Sequence, residues 1–151
     1  MSRRIAREIA MKLAFARLLG GDGSYSGFLK LSGYEDAEPS QEDESFAAEI
    51  VAGVERTKDE LDHYIGQCSH GWSVQRMPSV DLCILRIATY EMLYRNTSAG
   101  VAINEAVELA KQFGGDRSPN FVNGVLGGIA RAQEKGLIVP AGDEDGGSPE
   151  A

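Results

Sequence analysis

Residues 101–132, VAINEAVELAKQFGGDRSPNFVNGVLGGIARA, predict two amphipathic helices joined by a short polar turn. Apolar residues recur there at steps of three and four, the spacing that places side chains on one face of a helix. Gly114 is predicted to end the first helix, because glycine adopts the left-handed C-terminal geometry without a Cβ clash. Ser118 before Pro119 predicts the start of the second helix, with the serine hydroxyl as its N-cap. The predicted core positions are Ile103, Ala106, Val107, Ala110, Val122, Val125, Leu126 and Ile129.

Helical periodicity continues through most of the remaining chain. No segment shows the sustained period-two alternation of a half-buried strand, so we predict an all-α fold, a bundle of about seven helices. The other predicted helices lie near residues 3–19, 25–31, 46–54 and 61–68 and from residue 79 onward, with a surface loop at 32–44. The predicted core face of the first helix is Ile5, Ile9, Leu13 and Ala16.

The connector at residues 71–78 and the helix that follows carry three further predictions. Trp72 is expected to pack into the bundle, as large apolar side chains usually do. Ser79 is expected to cap the next helix through its hydroxyl. Asp81 then falls in the first turn of that helix, where a negative charge is favoured by the helix dipole.

Length and composition predict one folded domain that needs neither disulfides nor metals. A chain of 151 residues is long enough to bury a sizeable core. We place the domain at residues 1–136 and expect the Gly-, Pro- and acid-rich residues 137–151 to be disordered. Cys68 and Cys83 have no paired spacing, which favours a reducing cytoplasm.

The net charge of −8 hides a basic N-terminus. Phosphate neutralisation drives most nucleic-acid binding, so the total charge alone argues against such a partner. Residues 1–17, however, carry five cations against the single acid Glu8, which gives the charge distribution a direction. These cations are Arg3, Arg4, Arg7, Lys12 and Arg17.

The three N-terminal arginines are predicted to project away from the core together with Met11 and Phe15. Guanidinium groups bind phosphates and aromatic rings stack on unpaired bases, so this face suits single-stranded RNA. The alternative is a solvated basic face, with Phe15 packed against a neighbouring helix. From composition alone the solvated face is favoured, because charge runs usually lie at the surface.

Three segments, in order, resemble the NusB family of bacterial transcription antitermination factors, which are small and all-helical. They are residues 3–10 (RRIAREIA), 80–92 (VDLCILRIATYEM) and 101–132, with a weaker match at 46–54. The resemblance implies an RNA-binding factor that holds the boxA element of nascent ribosomal RNA. It would act together with NusE, a small-subunit ribosomal protein, in the antitermination complex of RNA polymerase.

The resemblance also implies which residues bind RNA. Arg3, Arg4 and Arg7 fall on the arginine positions of the family, and Phe15 falls where the family often has an aromatic residue. The turn at 114–120 and the helix start at 79–81 would lie near RNA and NusE. Lys12, Phe113, Arg117 and Phe121 complete the predicted RNA-binding set.

The same resemblance makes Asp81 a salt-bridge acceptor for a basic residue of NusE. Arg117 departs from the pattern of the family, since some relatives have an acid at this position. Three polar residues of the last two helices are instead expected to bridge packed helices. They are Asn104, Glu105 and Asn123.

Enzyme, metal and cofactor sites are not expected. The chain has no P-loop, nucleophile elbow or dinucleotide fingerprint. His63, Cys68 and His70 are close in sequence but lack the two ligand pairs of a structural zinc site. A NusB-like domain also occurs in RNA cytosine methyltransferases, but 151 residues leave no room for a cofactor-binding catalytic domain. A helical interaction module without an RNA role, and a homodimer, are left open.

Overall fold

Helices account for most of the described chain. The computed structural model describes residues 3–20, 40–138 and 140, and within them no strand occurs, so the predicted all-α class is confirmed. These residues hold five α-helices, against the roughly seven predicted for the chain. The segment 25–31 and most of the loop at 32–44 lie outside the described residues. The helices are α1 (Arg4–Leu18), α2 (Gln41–Cys68), α3 (Ser79–Tyr94), α4 (Ala99–Phe113) and α5 (Ser118–Glu134), with a short 3-10 helix at Val74–Arg76.

Helix α2 is one continuous helix of 28 residues, so the prediction of two separate helices at 46–54 and 61–68 was wrong. Its start is fixed by a capping box, in which the backbone N–H of Asp43 donates to the Ser40 hydroxyl and the Asp43 carboxylate accepts from the Ser40 backbone N–H. Midway, buried Thr57 donates its hydroxyl to the Gly53 carbonyl, 2.8 Å away. The helix therefore continues through a polar position that interrupts the apolar pattern.

Helix α3 is the centre of the bundle and packs against α1, α2, α4 and α5. It is buried on nearly every side, as expected for a helix with apolar residues around most of its circumference. Tyr90 is fully buried and lies against Gly53 of α2, where an added Cβ would be 2.1 Å from the Tyr90 ring. The absence of a side chain at Gly53 thus sets how closely these two helices approach.

The predicted core stripe of α5 is confirmed. Its four apolar positions are at most 3% exposed, whereas in α4 the stripe is shifted by one residue toward Ala102 and Leu109. Ile138 is also buried, so packing extends into the range 137–151 that we expected to be disordered; residues 139 and 141–151 lie outside the described part. The confirmed positions are Val122, Val125, Leu126 and Ile129, together with Ala106 and Ala110 of α4.

Three residues of α1 lie on a different face from the predicted one. Ile5 is 45% exposed, whereas Met11 and Arg7, both predicted to project outward, are buried. Ile9 and Leu13 are buried as predicted. The orientation differs because Arg7 meets a carboxylate in the core, which periodicity within a single helix cannot reveal.

Two predicted helix caps were also wrong. Ser79 and Ser118 are the first residues of α3 and α5, not N-caps, and neither helix has a side-chain cap among the described residues. The Ser118 hydroxyl instead donates to Asp81 at 2.6 Å and accepts from the backbone N–H of Gly115 at 2.9 Å. The Ser118 hydroxyl thereby links the start of α5 to the start of α3.

No helix in the described ranges is both long and apolar enough to cross a membrane.

Candidate nucleic-acid interface

Arg7 is part of a buried ion pair rather than an outward-facing cation. Its Nε and Nη2 each donate to the Glu91 carboxylate at 2.8 Å, and the Thr97 hydroxyl donates to the same carboxylate at 3.2 Å. Only 11% of the Arg7 side chain and 2% of the Glu91 side chain are exposed. The pair raises the pKa of Arg7 against the opposing effect of burial, so the guanidinium stays charged. Arg7 is therefore placed to hold α1 against α3.

Arg4 and Arg3 lie at the surface, and each has its own contact. Arg4 donates through Nε and Nη2 to the Glu105 carboxylate of α4, at 3.0 and 2.9 Å, and these hydrogen bonds lower the pKa of Glu105. This pair supports the prediction that Glu105 bridges packed helices. The guanidinium of Arg3 lies 4.4 Å from the centre of the Phe46 ring. Arg3 also lines a polar depression of about 440 Å³ that includes Arg95.

A second surface is formed where α1, α3, α4 and α5 end or begin. Two adjoining depressions share Pro78, Asp81 and Gly115, and we call them together the aromatic groove. The larger part, about 900 Å³, includes Trp72, Asp116, Arg117, Ser118, Asn120 and Phe121. The smaller part, about 340 Å³, includes Phe15, Leu19, Ser79, Val80, Phe113 and Gly114.

Half-buried aromatic rings line both parts of this groove. The Lys12 ammonium lies 4.7 Å from the centre of the Phe113 ring, and it also pairs with Glu8 at 3.2 Å. In the larger part, the rings of Phe121 and Trp72 meet edge to face, with centres 6.2 Å apart. Each predicted aromatic residue thus has a partly accessible ring rather than a core position.

Trp72 was predicted to pack into the bundle, but 52% of it is exposed, and sequence reasoning missed it as a groove residue. Trp72 follows a tight turn in which His70 and Gly71 both have positive φ, 51° and 98°. The Ser69 hydroxyl lies 3.0 Å from the Gly66 carbonyl and is also hydrogen-bonded to the Trp72 carbonyl. The glycine after a helix end was the available sequence signal for a turn at this point.

Asp81 lies on the floor shared by the two parts of the groove. It is 3% exposed, and burial raises the pKa of its carboxyl, although the hydrogen bond from Ser118 acts in the opposite direction. Arg117 is exposed at the rim of the larger part. The larger part of the groove thus has an exposed cation next to the exposed acid Asp116, and a partly desolvated acid inside.

The first turns of α3 and α5 both open onto the aromatic groove. Ser79, Val80 and Asp81 of α3 line it, as do Ser118 and Asn120 of α5. Within the described residues no side chain caps α3, so backbone N–H groups of its first turn are left for other acceptors. In α5 the Ser118 N–H donates to the Gly115 carbonyl at 3.1 Å and Pro119 has no N–H, so its first turn offers fewer donors. Helix N-termini carry partial positive charge, which favours an anion such as phosphate in this groove.

Comparison with known proteins identifies the fold that builds this groove. A family model for the NusB family matches residues 4–131. The chain belongs to the NusB family. Transcription antitermination protein NusB of Nitratidesulfovibrio vulgaris is 48% identical over 105 residues, 69% of this chain and 64% of that protein, so the match spans slightly less than two thirds of this relative.

Solved structures of NusB share the arrangement of helices. NusB of T. maritima superposes with a TM-score of 0.74 at 30% identity, over 91% of this chain and 99% of that one. A crystal structure of the antitermination factors NusB and NusE in complex with dsRNA contains a chain with a TM-score of 0.71 at 24% identity, over 87% of this chain and 99% of that one. This second likeness establishes the common fold.

Within this NusB fold, the predicted site residues divide into two sets. The aromatic groove brings together Asp81, the three predicted phenylalanines and Arg117, with Lys12 over one ring. Arg3 lies at the separate polar depression, Arg4 at the α4 contact and Arg7 in the core. His63, Cys68 and His70 belong to no group of three or more metal-ligand residues in the described ranges.

Proposed function

We propose that this chain is a cytoplasmic RNA-binding antitermination factor that binds boxA-type single-stranded RNA together with NusE. It acts by binding rather than by catalysis, and it helps RNA polymerase to resist termination. Membership of the NusB family and the name of the 48% identical relative, a transcription antitermination protein, support the antitermination role. The aromatic groove is the observation that carries the RNA contact.

The chemistry of the groove matches the needs of unpaired nucleotides. Phe15, Phe113 and Phe121 offer rings for stacking, and stacking is the main contact through which proteins hold single-stranded bases. Arg117 and Lys12 supply cations at the two ends, and the first turn of α3 supplies backbone donors for phosphates. A net charge of −8 does not oppose this contact, because phosphate binding depends on the local distribution of charge.

The N-terminal arginines have different parts in this proposal. Arg3 is exposed and contributes to RNA affinity as a phosphate contact outside the groove. Arg4, paired with Glu105 yet 57% exposed at its side chain, contributes a weaker contact. Arg7 positions α1 against α3 through its ion pair with Glu91, so its effect on RNA binding is indirect.

NusE is the proposed protein partner, as it is for the NusB chain in the dsRNA complex. Asp81 is the acceptor that the resemblance to the family implies for a basic residue of NusE. Since Asp81 is 3% exposed, a partner side chain must enter the groove to reach it. A long basic side chain of NusE would therefore enter the groove beside Pro78 and Gly115.

An electrophoretic mobility shift tests this function directly. The full chain is titrated into a boxA-type RNA, with and without purified NusE, and a scrambled RNA of the same length is the control. We expect a saturable shift that NusE strengthens and that the scrambled RNA shows only weakly. Absence of any preference for the boxA-type RNA, with NusE present, would refute the proposed function.

A further inference from the structure

We infer that Trp72 is a base-stacking residue, so that the aromatic groove holds a nucleotide between the 3-10 connector and the start of α5. This inference rests on the proposed function, and it adds a contact that neither the sequence prediction nor the family motifs assign. Trp72 is half exposed, and its ring lines the larger part of the groove. Its occupant is one or more unpaired bases of an RNA strand.

The ring of Trp72 contacts the ring of Phe121. It meets Phe121 at an interplanar angle of 65°, with ring centres 6.2 Å apart. A tilted contact of this kind leaves ring surface uncovered, so a flat group can stack there. The backbone is fixed by the Ser69 hydroxyl and by the positive-φ turn at residues 70–71. A rigid, partly open aromatic ring costs little conformational entropy when a base stacks on it.

Polar groups around Trp72 suit the edge and backbone of a nucleotide. The exposed side-chain amide of Asn120 has both a donor and an acceptor, which hydrogen bonding to a base edge requires. Arg117, exposed at the rim, attracts the phosphate that accompanies the base. An apolar protein segment would leave these groups without partners, whereas a nucleotide engages them.

The place and size of the larger part of the groove also favour a nucleotide as its occupant. The larger part of the groove adjoins the smaller part at Pro78, Asp81 and Gly115, so a nucleotide at Trp72 lies beside the point where the NusE side chain is proposed to reach Asp81. The volume of about 900 Å³ near Trp72 exceeds that of a single base, which allows a base together with its sugar and phosphate.

Trp72 is the only tryptophan of the chain, so its fluorescence reports on this site alone. We would titrate boxA-type RNA into the full-length protein and follow tryptophan emission alongside the mobility shift. Stacking on a base quenches tryptophan emission, so saturable quenching is expected with the same midpoint as the shift. NusE alone is titrated in parallel as the competing occupant.

Three variants complete the test. Trp72→Leu removes the aromatic face and is expected to weaken RNA binding about 5- to 100-fold, the effect of losing one stacked base. Trp72→Phe keeps a ring and is expected to retain most of the affinity. Val101→Ser removes an exposed apolar side chain outside the groove and is expected to bind RNA normally. Circular dichroism melts verify that each variant is folded.

The outcomes separate this inference from the proposed function. If RNA shifts the protein but tryptophan emission is unchanged and Trp72→Leu binds like the wild type, the inference is wrong and the proposed function stands. If the wild type does not bind RNA even with NusE, both are wrong. If NusE alone quenches the emission, and Trp72→Leu weakens binding of NusE but not of RNA, the groove near Trp72 is a protein contact and the inference is overturned.

Discussion

The guanidinium of Arg7 and the carboxylate of Glu91, 84 residues apart in sequence, form two hydrogen bonds of 2.8 Å inside the bundle. A buried ion pair of this kind contributes little net stability compared with an apolar pair, but removal of one partner leaves an uncompensated charge. Arg7 therefore couples the basic N-terminal helix to the central helix α3. The resemblance to the family assigns Arg7 to RNA, whereas its contacts give it a positioning role.

Arg7→Ala is expected to lower the free energy of unfolding by about 3–5 kcal/mol, because Glu91 is left charged and buried. Arg3→Ala is the matched control and should change stability by less than about 0.5 kcal/mol, since Arg3 is exposed. Urea denaturation measures both. The double variant Arg7→Met with Glu91→Leu should recover most of the loss. Equal stability of the Arg7 and Arg3 variants would contradict a structural role for the ion pair.

Asp81→Asn is expected to be more stable than the wild type at neutral pH, because it removes a charge from a buried position while keeping an oxygen that accepts from Ser118. Burial raises the pKa of Asp81 in the folded state, so the wild type gains stability as pH falls through that raised pKa toward the unfolded value near 3.8. The advantage of the variant should therefore shrink over this interval. Urea titrations at several pH values measure it, and an advantage that is constant with pH would contradict the assignment. Asp81→Lys is a poorer test of NusE binding, since a buried lysine also disturbs the fold.

Gly53→Ala is expected to destabilise the bundle by about 1–3 kcal/mol, the usual effect of overpacking. The new Cβ would lie 2.1 Å from the Tyr90 ring, which is fully buried and stacked on Tyr94, so it cannot turn away. Gly100→Ala is the control: it is also helical, its added Cβ meets nothing within 4 Å, and it should gain up to about 1 kcal/mol. Thermal melts compare them. If both variants shift stability in the same direction, the close approach of α2 and α3 is not specified by Gly53.

The buried face of a helix was predictable from the sequence where that helix has a single apolar face. The 3.6-residue period placed Val122, Val125, Leu126 and Ile129 in the core, because α5 has a single apolar face and polar residues elsewhere. Helix α1 was misread at Ile5 and Arg7 for the opposite reason. Which of its faces is buried depends on Glu91 in α3, and periodicity contains no information on such a distant partner.

The candidate site was predictable as a set of residue types but not as a geometry. Phe113 and Phe121 flank a predicted turn, whereas Phe15 was predicted on the face of the N-terminal arginines, so that Phe15 and Phe113 line one depression was not predicted. The roles of Ser118 and Trp72 were not accessible in this way. A serine before proline usually caps its own helix, but here its hydroxyl reaches Asp81, 37 residues earlier.

Arg117→Ala and Arg3→Ala are each expected to reduce the salt dependence of RNA binding. Every phosphate contact to a single strand contributes about 0.7 to the slope of log affinity against log salt, so each variant should flatten the slope by about that amount. Lys135→Ala, an exposed cation beyond the end of α5 and outside the aromatic groove, is the control and should leave the slope unchanged. Fluorescence anisotropy at four salt concentrations measures the slopes. An unchanged slope for Arg117→Ala would remove it from the phosphate-binding set.

Phe121→Ala separates packing from RNA recognition at the aromatic groove. Because Phe121 is only half-buried and touches the exposed Trp72, its truncation should cost less than the 3–5 kcal/mol typical of a core phenylalanine. RNA affinity should fall by about 1–3 kcal/mol through the lost stacking contact. Leu126→Ala, at a fully buried position in the same helix, should show the reverse pattern, with a loss of about 2–5 kcal/mol in stability and unchanged RNA binding by the folded fraction. Thermal melts and RNA titrations are read together. A Phe121 variant that melts like the Leu126 variant and binds RNA normally would make Phe121 a packing residue.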